Sequence, residues 1–414
     1  MRFRPYYILG LVLFALLYLE PTFVGGVKVS YLWKVGALYF LFIGVLFRLH
    51  RNRHAFSCNT VWAGYLMCLW IVVAGLNHDT LSSSVIMAAQ RLFPILVLHY
   101  LIVRSSTQQQ LQRWLIFAVL FVAVSTFPFY LGLLEPLGSG YDVVALLGAD
   151  RLGFVGIFQN QHVAPLTLAL SALLASVYSL KVTFSIKKRL IVMAVAVFLC
   201  YTMLLTYARA GYAAFLLGGM SYMLFTGRIN TALRIVFLGC VAFSIIYFIV
   251  PEIDVLKSRL VGDSRYTKVS PSDMTSVSSG RLFFWTTSIE IYAEQDPIAW
   301  LLGIGEETLK ESMGQRIGIG IFAHNGFINE LLLNGAVGFL AFISFLGAIY
   351  LDICKIREAS MRKLGQSLFV AWLVFVFFQG GEFPLQYVFL FLFVAIGIAD
   401  RQGAALPLKC RLGQ

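Results

Sequence analysis

The chain has 414 residues, 59% hydrophobic and 13% charged, with mean hydropathy +0.81 and formal net charge +12. A soluble domain carries about 25% charged residues, so these values exclude an ordinary soluble enzyme or a singly anchored protein and indicate a polytopic membrane protein. The basic excess, which in a soluble chain would suggest nucleic acid, is accounted for in a membrane chain by the positive-inside rule, and no nucleic-acid partner is expected.

In chain order, Met1, Arg2, Phe3 and Arg4 resemble the basic start of a signal peptide. No small-x-small cleavage site follows the apolar run 8–19, so a retained first helix is expected. A spanning helix needs about 20 mostly apolar residues. Segments centred on 8–24, 31–47, 60–76, 84–103, 114–135, 163–180, 190–206, 212–226, 235–251, 326–351, 366–380 and 386–399 qualify, the first, eighth and last being short. The expected fold is an all-α polytopic membrane helix bundle of about 12 transmembrane helices. Helices 1–9 occupy 1–250, a large outer loop carrying helices 251–323, helices 10–12 324–400, and a cytoplasmic tail 401–414.

The charges orient this scheme. With the N-terminus inside, every short inner loop is basic: Arg48, Arg51 and Arg53; Arg104 and Arg113; Lys181, Lys187, Lys188 and Arg189; Arg228 and Arg234; Lys355, Arg357, Arg362 and Lys363. Both termini are then cytoplasmic. The six cysteines (Cys58, Cys68, Cys200, Cys240, Cys354, Cys410) avoid the large outer loop and form no CxxC or Cys/His cluster. Neither a disulfide framework, a metal site nor a cofactor is expected.

Two outer regions are long, 135–161 and 251–323, and long ordered loops in compact proteins usually carry function. Within the second, 278–297 reads as an amphipathic helix, capped by Ser278 or Ser279 and stopped at Asp296 and Pro297. Leu282, Trp285, Ile289 and Tyr292 recur at helical spacing and predict its apolar face. Arg281 falls in the first turn, where guanidinium and free backbone N–H groups can address one anion.

His324 stands where that loop enters the tenth helix, in the stretch HNGFINELLLNGAVGF. On a straight helix at 100° per residue, Gly335 lies within about 20° of the face of His324, and Gly338 about 40° to the other side. Such glycines let a neighbouring helix approach closely. A histidine at the headgroup level and a glycine stripe also serve simply as interface and packing residues, so the spacing alone leaves both roles open. Arg209 sits in a very short outer turn that does not itself require an arginine, although snorkelling to lipid phosphate is an alternative. Arg151 is a weaker candidate of the same kind. Arg91 falls inside the fourth segment, where an arginine faces a cavity or a partner. Glu330 is either a second acid/base or a buried partner for an arginine. One titratable group among permanent cations at the outer face suits an anionic, lipid-borne substrate. Arginines can hold a diphosphate and stabilise it as a leaving group, and a neutral histidine can take a proton from an attacking hydroxyl.

His324, Asn325, Gly335 and Gly338 match His-[Asn/Ser/Gln]-x9-Gly-x-x-[Gly/Thr/Tyr], which resembles the signature of bacterial O-antigen ligases and related polymerases. LLTYARAGYAAFLL is similar to that family's arginine turn. SGRLFFWTTSIEIYAEQDPIAWLLGIG is similar to its loop segment, and GFVGIFQNQHVAPLTLAL to its GxFxNxN segment, with His162 where a second Asn is more usual. The resemblance spans about 151–338. It implies a metal- and nucleotide-independent membrane glycosyltransferase of the C-type class in the bacterial inner membrane, with its site facing the periplasm. It further implies that His324 is the general base or orients the acceptor, and that Arg209 and Arg281 bind the donor diphosphate. The implied partners are an undecaprenyl-diphosphate-linked glycan as donor, a lipid A–core oligosaccharide as acceptor, and membrane lipids. The ligase reading ranks first. A polymerase acting on a second lipid-linked glycan follows, and a protein O-glycosyltransferase is third. From a different class, a transporter of a lipid-linked or anionic substrate would carry its charges near the midplane, often on broken helices.

Overall fold

The computed structural model describes residues 5–19, 23–24, 27–49, 58–77, 81–104, 107–137, 154–158, 163–179, 185–206, 208–227, 281–380 and 384–405. Apart from one two-residue antiparallel pair, Phe23–Val24 with Val27–Lys28, the described architecture is helical. The helices are α1 (Pro5–Phe14, continued by a π-helical turn to Leu19), α2 (Val29–Leu49), α3 (Asn59–Gly75), α4 (Leu81–Arg104), α5 (Gln108–Tyr130), α6 (Val163–Ser179), α7 (Ile186–Leu205) and α8 (Arg209–Phe225). After 228–280 come three shorter helices, α9 (Arg281–Ala293), α10 (Pro297–Leu302) and α11 (Gly305–Ile317). The chain then forms α12 (Gly326–Cys354), α13 (Ala359–Gln379) and α14 (Pro384–Ala405).

A helix occupies every apolar segment read from the sequence except 235–251, which lies outside the described residues. Five helices among the described residues are long and apolar enough to cross a membrane: those within α4, α5, α7, α12 and α13. Leu66, Leu69, Ile191 and Val197 stand exposed on outward faces, as large apolar side chains do where the surrounding solvent is lipid. The main core gathers Phe342, Phe345, Trp372, Phe375, Phe389, Phe391 and Phe393, from α12, α13 and α14.

Close contacts are set by small residues. A Cβ on Gly218 of α8 would lie 2.8 Å from the Ala371 Cβ of α13. One on Gly326, at the start of α12, would lie 2.4 Å from a Val376 methyl group of α13. Without side chains at these points the helix backbones approach closely, as in packed membrane bundles. At the opposite end of α12 the fully buried Asp352 carboxylate accepts from the Thr60 N–H at 3.0 Å and its hydroxyl at 2.8 Å, and pairs with Lys355. One side chain thus caps the first turn of α3 and ties it to α12, about 40 Å from His324 at 1.5 Å per residue.

Candidate active site

The segment 281–317 forms a small cap against one end of the bundle. Phe284 and Ile291 of α9, Ala299 of α10, and Leu309 and Met313 of α11 close over Leu332 and Leu333 of α12. Local chemistry builds each piece. Asp296 caps α10 by accepting from the N–H groups of Ile298 at 2.8 Å and Ala299 at 2.9 Å, with Pro297 in the first turn. In α11, Glu306 and Glu307 occupy the first turn and Arg316 the last, and Gly318 ends it in a left-handed conformation. The Tyr292 hydroxyl donates to the Trp300 carbonyl at 2.7 Å, and the Trp300 indole N–H donates to the Tyr292 carbonyl at 2.8 Å, clasping α9 to α10. Burial raises the Tyr292 phenol above its ordinary value, keeping it a neutral donor.

The cap corrects the expected face of α9. Leu282 and Ile289 are exposed, and the buried residues are Phe284, Thr287, Ser288 and Ile291. The helix carries apolar side chains all round, so spacing did not choose the face; the buried surface of α12 and α11 did. Ser278 and Ser279 lie outside the described residues, as do Arg151 and His162.

His324 has φ 53°, the one positive φ among the described non-glycine residues. A left-handed conformation at such a residue costs about 1–3 kcal/mol and persists only where its surroundings impose it. Those surroundings are specific. Asn325 caps α12, its Oδ1 accepting from the N–H groups of Phe327 at 2.9 Å and Ile328 at 3.1 Å. Asn329, one turn on, accepts from the Ala323 N–H at 3.0 Å through Oδ1 and donates to the Gly380 carbonyl at 3.4 Å through Nδ2. Gly380, at the end of α13, lies so close that a Cβ there would be 2.6 Å from the Asn325 nitrogen. The Phe284 ring stands 6.0 Å from the imidazole, centroid to centroid.

The straight-helix reading of the glycines does not hold. His324 precedes the helix, and α12 breaks at Gly335, where φ is 68° and ψ −174°. A Cβ on Gly335 would lie 2.2 Å from the Leu301 carbonyl oxygen, so the glycine admits the backbone of the 301–304 segment into the break. Carbonyls that lose helical partners there find others. The Leu332 carbonyl accepts from the Ile304 N–H at 2.8 Å, and the Asn334 carbonyl accepts from the Trp70 indole N–H at 3.0 Å. Gly338 packs under the same indole, a Cβ there being 3.0 Å from it. The two motif glycines therefore fit two different close approaches, not one stripe.

Arg91 and Glu330 find each other. The guanidinium donates to both carboxylate oxygens, at 2.9 and 2.5 Å, and Glu330 is 1% exposed. Asn334 donates to the same carboxylate at 2.8 Å, and the Phe342 ring lies 5.9 Å from the guanidinium carbon. Glu330 is thus a buried partner of an arginine.

The remaining cations lie toward the end of α13. Arg281 donates to the Gln379 carboxamide oxygen at 2.8 Å, next to Gly380, and Phe284, one turn along α9, touches His324. Arg209 is the first residue of α8, where a cation opposes the helix dipole and gains no stability from it. Gly218 of α8 lies against Ala371 and Ser367 of α13, and nine residues rise about 13 Å. The antiparallel packing therefore sets Arg209 level with Gln379 and Gly380. His324, Arg281 and Arg209 share one end of the bundle, Arg91 and Glu330 lie below it, and Arg151 is not described. Asn329, Gln379, Gly380 and Trp70 escaped the sequence reading. The first stood in plain view at i+4 from Asn325, whereas the others act across the fold.

Among the described residues no group of three or more His, Cys, Asp or Glu side chains could hold a metal ion. What the fold and site define is a helical membrane protein with a histidine and two arginines toward one end of the bundle. Residues 194–343, from α7 into α12, match the family model described as O-Antigen ligase (Wzy_C). The match encloses Arg209, Arg281, His324, Gly335 and Gly338 and supports the O-antigen ligase/polymerase family, whose members are glycosyltransferase-like enzymes acting on lipid-linked glycans. No curated protein matches the chain.

Proposed function

We propose that the protein is an O-antigen ligase, transferring a glycan from undecaprenyl diphosphate to a hydroxyl of a lipid A–core oligosaccharide at the periplasmic face of the inner membrane. The observation that carries this reading is the turn at Gln379 and Gly380, which holds Arg281 by a hydrogen bond, packs on the backbone of His324 and lies level with Arg209. Neutral His324 takes the proton of the acceptor hydroxyl as its oxygen bonds to the anomeric carbon. The bond from that carbon to the diphosphate breaks on the opposite face, inverting the centre, and the diphosphate leaves with the electron pair. Arg209, Arg281 and the positive ends of α8 and α9 stabilise the departing charge. In this scheme the chemistry needs no metal and no nucleotide.

The same reading assigns twelve spanning helices with both termini cytoplasmic, and makes 251–323 a periplasmic loop whose second half is the cap. Arg91 and Glu330 are structural supports of the site, and Arg151 an accessory cation. The break in α12 is the one feature that favours a transporter. Its Leu332 and Asn334 carbonyls are bonded to Ile304 and Trp70, however, and the Arg91 and Glu330 charges face each other, so these groups are not offered to a coupling ion. The test is transfer by the purified protein from an undecaprenyl-diphosphate glycan, offered either lipid A–core or a second lipid-linked glycan. Product on lipid A–core is expected. Product only on the second glycan identifies a polymerase, and no product on either acceptor counts against an enzyme.

A further inference from the structure

We propose that Asn329 is the residue that positions His324, by clamping the backbone before the imidazole to the end of α13. The proposal rests on the reading of His324 as the proton acceptor and adds a residue to it. Two observations carry it. His324 holds a left-handed backbone conformation that a side chain with a Cβ rarely adopts, and helical backbone hydrogen bonding does not account for it, because the helix begins only at Gly326. Asn329 is 8% exposed, and both ends of its carboxamide are engaged on either side of that residue. Oδ1 accepts from the Ala323 N–H at 3.0 Å, and Nδ2 donates to the Gly380 carbonyl at 3.4 Å.

The geometry gives the bridge a purpose beyond stability. Gly380 adjoins Gln379, which holds Arg281. One carboxamide therefore ties the imidazole-bearing turn to Gly380, the neighbour in sequence of the residue that holds Arg281, and the distance between base and cation is set through Asn329. Without it, the chain at 323–324 can relax from its left-handed conformation and carry the imidazole away from the acceptor, while Arg281 and Arg209 stay in place. Proton removal should then suffer and donor binding should not.

The experiment uses the full-length protein in detergent with an undecaprenyl-diphosphate glycan and lipid A–core as probes. Asn329→Ala, which removes both bonds, is expected to lower kcat on the order of tenfold to a hundredfold, the scale of a misplaced catalytic group, with the KM for the donor unchanged. Asn329→Asp keeps an acceptor for the Ala323 amide and is expected to recover part of the lost rate. His324→Ala is run beside them. Wild-type kcat in Asn329→Ala with an inactive His324→Ala overturns the clamp alone, whereas wild-type kcat in His324→Ala overturns the reading of the site and the clamp with it. Where the alanine variant does not purify folded, wild-type kcat in Asn329→Asp overturns the clamp, and an intermediate kcat with unchanged KM supports it.

Discussion

Removing Glu330 should cost far more than an exposed ion pair is worth, and removing Arg91 as well should cost much less than removing Arg91 from the intact protein. Glu330 is 1% exposed and accepts three hydrogen bonds, two from Arg91 at 2.9 and 2.5 Å and one from Asn334 at 2.8 Å. Glu330→Ala leaves the guanidinium, 13% exposed, without its counter-charge beside the Phe342 ring. Breaking a buried pair by removing one partner costs about 3–5 kcal/mol, mostly the penalty of the charge left behind. Arg91→Met leaves a buried carboxylate and should cost about the same. Arg91→Met with Glu330→Ala removes both charges, so the double variant should fall well short of the sum, with a coupling of about 2–3 kcal/mol. Reversible unfolding of the purified protein in mixed micelles measures all four corners of the cycle. Additive losses would refute the pairing and would reopen Glu330 as an acid or base in its own right.

Other contacts in the fold set further expectations. Gly335→Ala forces a Cβ to within 2.2 Å of the Leu301 carbonyl oxygen at a φ of 68°, and should lower the melting temperature sharply; Gly347→Ala on the same helix meets nothing within 4 Å and should be neutral. Trp70→Phe keeps the packing but strands the Asn334 carbonyl, at about 1–3 kcal/mol of stability by the same unfolding assay. Arg209→Ala and Arg281→Ala should each weaken binding of a polyprenyl diphosphate in a titration, by about 1.5–3 kcal/mol per charged hydrogen bond lost. Unchanged affinity in both would remove them from the donor site.

The positions of the helices were legible because a membrane demands long apolar runs, and hydropathy finds those directly. The break at Gly335 was not. The run 326–354 is apolar on both sides of it, so only the 301–304 backbone crossing at that point discloses the kink. Arg91 announced that it needed a partner, but its partner lies 239 residues away, a pairing that no local pattern encodes. The face of α9 was misread because Phe283, Phe284 and Trp285 put aromatic rings on several sides of one turn. The candidate residues stood out for a physical reason too. Arg209 and Arg281 open helices, where the helix dipole gives an arginine no stability, whereas Gln379, which meets Arg281, and Gly380, which packs on the His324 backbone, are unremarkable in sequence.

The measurement closest to the central claim is glycan transfer by purified His324→Ala, with binding of the undecaprenyl-diphosphate donor measured on the same preparation. The account predicts a folded protein that binds the donor with wild-type affinity and transfers no glycan. Transfer at the wild-type rate would contradict it.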